Sequence, residues 1–199
     1  MPTGNIEKTI TDLKITKDDL IICADGGYDI ARQLNIVPDY IIGDLDSLIK
    51  NPDRLNIKII KAPSMKDETD TVLCINHALS EKCSDIYILG GTGNRLDHTY
   101  AVLQTLKYIS ENGSKGYFIN DSETVLYLKN NSIGIDGKCK YISVFSYSER
   151  STGVDLKGFK YPLDNAELTN EFPLGISNEL SNKGEISVKN GELLIFLIK

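Results

Sequence analysis

The sequence predicts an α/β fold: an N-terminal domain over residues 1–129 built on a parallel sheet covered by helices, then a small antiparallel β domain over residues 130–199. Three observations carry this prediction. Short apolar runs alternate with helix-spaced segments over the first two-thirds of the chain. The runs stop abruptly at residues rich in glycine and aspartate. After about Asn130 the pattern changes to short strand-like runs separated by turn pairs, with no helix of useful length.

Leu20-Ile21-Ile22-Cys23-Ala24 is an apolar run ending in Asp25-Gly26-Gly27, as a buried strand entering a tight turn does. Residues 28–35 have helical spacing. Tyr40-Ile41-Ile42 forms a second strand, stopped by Gly43-Asp44, and Ile57-Lys58-Ile59-Ile60 a third. Thr69 is placed to cap a helix over 70–81, with Asp70 against its positive end. Ile86-Tyr87-Ile88-Leu89 is a fourth strand, broken by Gly90-Gly91-Thr92-Gly93. Residues 96–112 read as a long helix, with Leu96, Leu103, Leu106 and Ile109 near helical spacing and Gly113 ending it. Further on, Asp136-Gly137 and Asn190-Gly191 are hairpin signals, the second joining 185–189 to 193–198.

Composition narrows the function classes. A chain of 199 residues, 41% hydrophobic and 25% charged, has ample material for a core and is not a disordered segment. A net charge of -6 disfavours general binding to a nucleic-acid backbone, while leaving room for a local basic pocket. Cys23, Cys74, Cys83 and Cys139 contain no CxxC pair, so free thiols are expected rather than a zinc site. No leader is recognisable and no apolar run is long enough to span a bilayer, so a cytoplasmic protein without membrane partners is expected.

The polar motifs sit just after the strands, where open parallel sheets bind ligands. Asp44 and Asp46 are the sharpest pair. In an extended stretch their carboxylates point to one side, and a hard divalent cation such as magnesium relieves their repulsion. The alternative is that both merely cap a turn. Asp70 is a candidate third carboxylate, or simply a charge at a helix N-terminus. Gly90, Gly91, Thr92 and Gly93 let a backbone approach phosphates closely, or form a plain strand-to-helix turn. Arg95 suits phosphate oxygens and Lys66 adds a point charge, although either alone is more often a solvated surface group. Asp97 is able to accept a hydroxyl proton or hold a cation. His98 is a candidate polar contact, and His77 is given no role. The glycines are followed by no GK[ST], so this is not a Walker A loop, and no third glycine completes a dinucleotide fingerprint.

Taken together, Pro38-Asp39-Tyr40-Ile41-Ile42-Gly43-Asp44-Leu45-Asp46-Ser47, Lys66-Asp67-Glu68-Thr69-Asp70 and Gly90-Gly91-Thr92-Gly93-Asn94-Arg95-Leu96-Asp97-His98 strongly resemble the thiamine pyrophosphokinase family. Gly175-Ile176-Ser177-Asn178-Glu179 looks like that family's thiamine-binding motif. The resemblance implies a β-sandwich for the second domain and a homodimer with active sites between subunits. It implies that Asp44, Asp46 and Asp70 serve magnesium and the ATP phosphates. Asp25, Gly26, Lys66, Thr69, Gly90, Gly91, Thr92 and Arg95 would line the nucleotide site, and Arg95 and Asp97 would join the catalytic set. Asp97 and His98, with Ser177 and Asn178 from the partner subunit, would hold thiamine. The implied reaction is attack of the thiamine hydroxyl on the β-phosphorus of ATP, with AMP leaving. Family members usually begin with an apolar strand and a glycine-containing loop. This chain starts at Met1-Pro2-Thr3-Gly4, where that loop would be, so either the start is truncated or misassigned, or the strand is truly absent, which would expose apolar surface and unpaired backbone. A nicotinamide-dependent oxidoreductase and a non-catalytic thiamine or nucleotide sensor are the rival classes. NAD binding without ATP binding favours the first, and absence of turnover favours the second.

Overall fold

The computed structural model describes residues 13–45, 57–63, 67–90, 95–137 and 139–199. The N-terminal strand question therefore falls on residues 1–12, outside the described residues.

Strands β1 (Ile22–Ala24), β2 (Tyr40–Gly43) and β3 (Lys58–Lys61) form a parallel sheet in that order. Successive residues of a strand face opposite sides. Cys23 and Ile41 pack with Tyr28 and Ala31 of helix α1 (Gly27–Gln33). Ile22, one residue along, packs with Ile75, Ala78 and Leu79 of helix α2 (Asp70–Ser80). Helices thus cover both faces of β1, which is why it reads as a continuous apolar run, whereas β3 is exposed along its length.

The fourth run, β4 (Asp85–Leu89), belongs to a different sheet. It pairs in parallel with β5 (Lys115–Ile119), which turns back into β6 (Glu123–Lys129). The turn is built by Asn120, whose Oδ1 accepts from the backbone N of Ser122 and of Glu123, both at 2.9 Å. Helix α3 (Leu96–Glu111) lies on this sheet through Val102, Leu106 and Ile109. Gly116 permits the approach, since a Cβ there would stand 3.1 Å from the side chains of both Leu106 and Ile109.

The remaining strands are β7 (Ser132–Asp136), β8 (Tyr141–Ser146), β9 (Arg150–Phe159), β10 (Leu163–Thr169), β11 (Leu180–Ser187) and β12 (Glu192–Ile198). The mixed sheet runs β4-β5-β6-β12-β8, and an antiparallel sheet runs β10-β9-β11-β7. They face each other as a β-sandwich, with Leu126, Leu128, Ile142, Val144, Leu193 and Ile195 meeting Ile135, Val154, Leu156, Phe159, Leu168 and Ile186. The chain is therefore an α/β half followed by a β-sandwich. Residue 130 falls between β6 and β7, and the mixed sheet contains strands from both sides of that point.

Neither expected hairpin forms. Around Asp136-Gly137 the chain leaves β7 for β8, and around Asn190-Gly191 it leaves β11 for β12, changing sheets each time. Gly191 is required by close packing: a Cβ there would lie 2.7 Å from Ser151 Cα. The local chemistry specifies a sharp corner, and the sandwich decides which sheet receives the next strand.

Gly175 should be intolerant of a side chain, because a Cβ there would overlap the Val144 carbonyl oxygen, while Val144 N donates to Gly175 O at 2.9 Å. Gly175→Ala is expected to cost about 1–3 kcal/mol, read as a lower urea midpoint. An unchanged midpoint would show that this loop moves freely away from β8.

Candidate active site

The site is built first at the carboxyl ends of β1 and β2. Asp25 follows β1 with a left-handed φ of 41°, and its backbone N donates to Ile42 O at 3.0 Å. It lies against Gly43, where an added Cβ would come within 3.0 Å of Asp25 Cβ. Asp44 is the next residue, so two half-buried aspartates stand at adjoining strand ends. Gly26 is the N-cap of α1 and contributes no side chain there.

Leu45 has a φ of 68°, a conformation that a bulky side chain adopts only under constraint and that clusters at functional turns. The expected extended stretch is therefore broken at Leu45, directly after Asp44. Asp46 and Lys66 lie outside the described residues.

Asp70 opens α2, and Thr69 caps it as expected, its Oγ1 accepting from Val72 N at 3.3 Å. α2 packs against β1 and β2. This brings half-buried Asp70 to the same end of the sheet as Asp25 and Asp44. Among the described residues, no three histidine, cysteine, aspartate or glutamate side chains are grouped closely enough to hold a metal ion. The expected trio includes Asp46, which is not among them.

The second wall follows β4. Gly90 is buried with a φ of 81°, ending the strand; Gly91 and Thr92 lie outside the described residues. Arg95 sits at the N-cap of α3 and grips Asp97 with two hydrogen bonds, Nε to Oδ1 at 3.2 Å and Nη2 to Oδ2 at 2.6 Å. Hydrogen bonding from Arg95 holds the Asp97 carboxyl below the usual range, and the same bond raises Arg95. Both groups are mostly exposed, so solvent screens the pair. His98 is exposed beside them.

Ser177 and Asn178 belong to the sandwich. Ser177 is exposed with a φ of 56°, and its backbone N donates to Ser143 Oγ at 3.0 Å. Asn178 is buried. Its Nδ2 donates to Tyr161 O at 2.7 Å, and its Oδ1 accepts from Tyr161 N at 3.0 Å and Glu179 N at 2.9 Å. Asn178 thus fixes the loop, while Ser177 is presented to solvent. The structural partners Ser143 and Tyr161 were invisible in the sequence, because each lies far along the chain from the motif it holds.

Acidic strand ends on a helix-covered sheet, joined to a sandwich that presents a pinned polar loop, define a two-part protein with an α/β half and a β-sandwich binding half. Known proteins sharpen this. Residues 11–118 match the thiamin pyrophosphokinase catalytic domain, and residues 129–194 match the thiamin pyrophosphokinase vitamin B1 binding domain. The chain belongs to the thiamin pyrophosphokinase family. It is 31% identical to a thiamine pyrophosphokinase of Bacillus subtilis (strain 168), across 96% of this chain and 94% of that one. It is 26% identical to thiamin pyrophosphokinase 1 of Caenorhabditis elegans, across 81% of this chain and 70% of that one. The crystal structure of thiamine pyrophosphokinase from Bacillus subtilis superposes with a TM-score of 0.88 at 29% identity, covering 96% of this chain and 92% of that one.

The Arg95–Asp97 pair sets a measurable titration. Asp97 should lose its proton below the ordinary carboxylate range, and Arg95→Ala should bring its midpoint back up toward that range. A carboxyl-resolved NMR titration checks this. An unmoved Asp97 midpoint in the variant would show that Arg95 is not its governing partner.

Proposed function

We propose that this chain transfers a pyrophosphoryl group from ATP to the hydroxyl of thiamine, releasing thiamine pyrophosphate and AMP. The observation that carries the reading is the succession of the family's catalytic and vitamin B1 binding domains along the chain. The acidic ends of β1 and β2 and the start of α2 supply fitting chemistry on the catalytic side. The functional division is at residues 1–129 and 130–199.

The thiamine hydroxyl oxygen bonds to the β-phosphorus as the bond from that phosphorus to the α–β bridging oxygen breaks, and the hydroxyl proton leaves to solvent or a nearby base. Asp44, Asp46 and Asp70 form a donor set of hard carboxylate oxygens that suits magnesium. Bound there, magnesium supplies neutralisation of charge on the phosphates. Asp25, Gly26, Lys66, Thr69, Gly90, Gly91, Thr92 and Arg95 surround the nucleotide, and Arg95 offsets charge developing on the leaving group. Asp97 and His98 face thiamine with Ser177, while Asn178 acts by holding the Ser177 loop. The depressed Asp97 carboxyl makes a poor proton acceptor, which favours charge complementarity to the cationic thiazolium as its role.

Two exposed apolar patches support a homodimer with sites between subunits. Leu96 and Tyr100 are 82% and 57% exposed at the start of α3, and Phe172 and Ile176 are 68% and 60% exposed beside Ser177. None of the four cysteines forms a disulfide, which suits a cytoplasmic setting. Among the described residues no helix is long and apolar enough to cross a membrane.

With ATP labelled at the β-phosphate, label should enter thiamine pyrophosphate with one AMP formed for each; label retained in ADP alongside thiamine monophosphate would overturn the reaction. Asp46→Asn should nearly abolish turnover with the fold intact, and near-normal magnesium-dependent activity would remove Asp46 from the ligand set. Mixing a subunit altered at Asp97 with one altered at Ser177 should restore part of the activity, whereas a monomer at assay concentration would contradict the shared site.

A further inference from the structure

Ser177 meets solvent in a conformation that its residue type disfavours. Its φ of 56° is left-handed, where a side chain crowds the following carbonyl, and a serine stays there only when its surroundings over-determine it. The flanking residues are joined to β8 through backbone. Val144 N donates to Gly175 O at 2.9 Å, and Ile142 and Asn178 exchange N–H to O bonds at 2.8 Å each way. At Ser177 a side chain takes over: its backbone N donates to Ser143 Oγ at 3.0 Å.

Ser143 is 3% exposed on β8, between Ile142 and Val144, whose side chains enter the sandwich core. By alternation it lies on the other face of the mixed sheet, paired with Phe196 of β12 in the ladder. Burying a hydroxyl there destabilises the sheet unless the oxygen is hydrogen-bonded, so packing alone is served as well by alanine. What the oxygen adds is an acceptor for one amide, that of Ser177. Holding that amide orders the turn before ligand arrives and keeps the exposed Ser177 side chain directed outward.

We infer that Ser143 is a positioning residue for thiamine: without touching the substrate, its hydroxyl fixes Ser177 in the left-handed conformation in which the loop receives it. The inference rests on the proposed role of Ser177 in holding thiamine. It separates the two substrates, because Ser143 and the Ser177 loop belong to the sandwich, whereas the acidic strand ends proposed for ATP belong to the α/β half. Loss of the hydroxyl should therefore act on thiamine and spare ATP.

The test is calorimetric titration of the full chain with thiamine and, in separate runs, with ATP and magnesium. Ser143→Ala should weaken thiamine by about fivefold or more while ATP stays within about twofold. The control is Ser146→Ala on the same strand. Ser146 is also buried, but its hydroxyl bonds to Ser148 O at 2.8 Å and Ser151 Oγ at 2.7 Å, away from the loop. Its loss should lower the urea midpoint and leave both affinities within about twofold. Hydrogen exchange supplies the local readout: the Ser177 amide should exchange about tenfold faster or more in Ser143→Ala and at the wild-type rate in Ser146→Ala. Thiamine affinity within twofold in Ser143→Ala, equal weakening of thiamine and ATP, an equal thiamine loss in Ser146→Ala, or an unmoved Ser177 amide would each overturn the assignment. A wild-type chain that binds no thiamine would instead remove the proposed function, and the positioning role with it.

Discussion

The whole arrangement depends on one strand. β12 is hydrogen-bonded along most of its length on both sides, to β6 and to β8. Its side chains alternate between two cores. Leu193 and Ile195 face the sandwich, and Leu194 lies in the cluster that α3 covers. A strand buried on both faces and both edges has no tolerance for polar substitution, which explains its run Leu193-Leu194-Ile195-Phe196-Leu197-Ile198. The one charged residue at its start, Glu192, is only 8% exposed and is held by Lys107 of α3 at 2.8 Å and Lys129 of β6 at 3.5 Å. That ion pair fixes the helix, and with it Arg95 and Asp97 at the helix start, relative to the sandwich.

The two halves prepare their sites differently. On the α/β side, adjoining strands deliver their last residues to one place, and Leu45 adopts a left-handed φ immediately after Asp44. On the sandwich side, a loop is displayed from β8 by hydrogen bonds to Ile142, Val144 and Ser143. Electrostatics follows the same division. Aspartates stand at the ends of β1 and β2, whereas at the start of α3 a guanidinium and a carboxylate form a mostly exposed pair.

Much of this was legible locally. Thr69 before an acidic residue marks the α2 cap, Gly113 with a φ of 86° marks the end of α3, and the aspartates after the apolar runs mark the ligand-facing end of the sheet. What failed was long-range. The β5–β6 turn uses an Asn120 side chain rather than a glycine pair and so carries no local signal, and β4 joins these strands instead of extending β1–β3. Asp136-Gly137 and Asn190-Gly191 encode bends, but a bend does not specify the sheet entered next. Leu96 fitted the helical spacing and is nevertheless exposed, because the stripe that meets the sheet runs through Val102, Leu106 and Ile109. The candidate residues were all named from short motifs, while the side chains that hold them, Ser143 and Lys107, are specified only by the assembled sandwich.

The amide of Asn178 carries a consequence for motion. Its three hydrogen bonds to Tyr161 and Glu179, with the paired backbone bonds to Ile142, splice the Ser177 loop into the sandwich ladder. Ordering a free backbone costs about 1–2 kcal/mol per residue, so a loop already ordered during folding leaves little of that entropy to be lost on ligand arrival. The same splice ties local opening to global opening. The Tyr161 amide hydrogen should exchange with solvent on the slow timescale of the sandwich core rather than on the fast timescale of a surface turn.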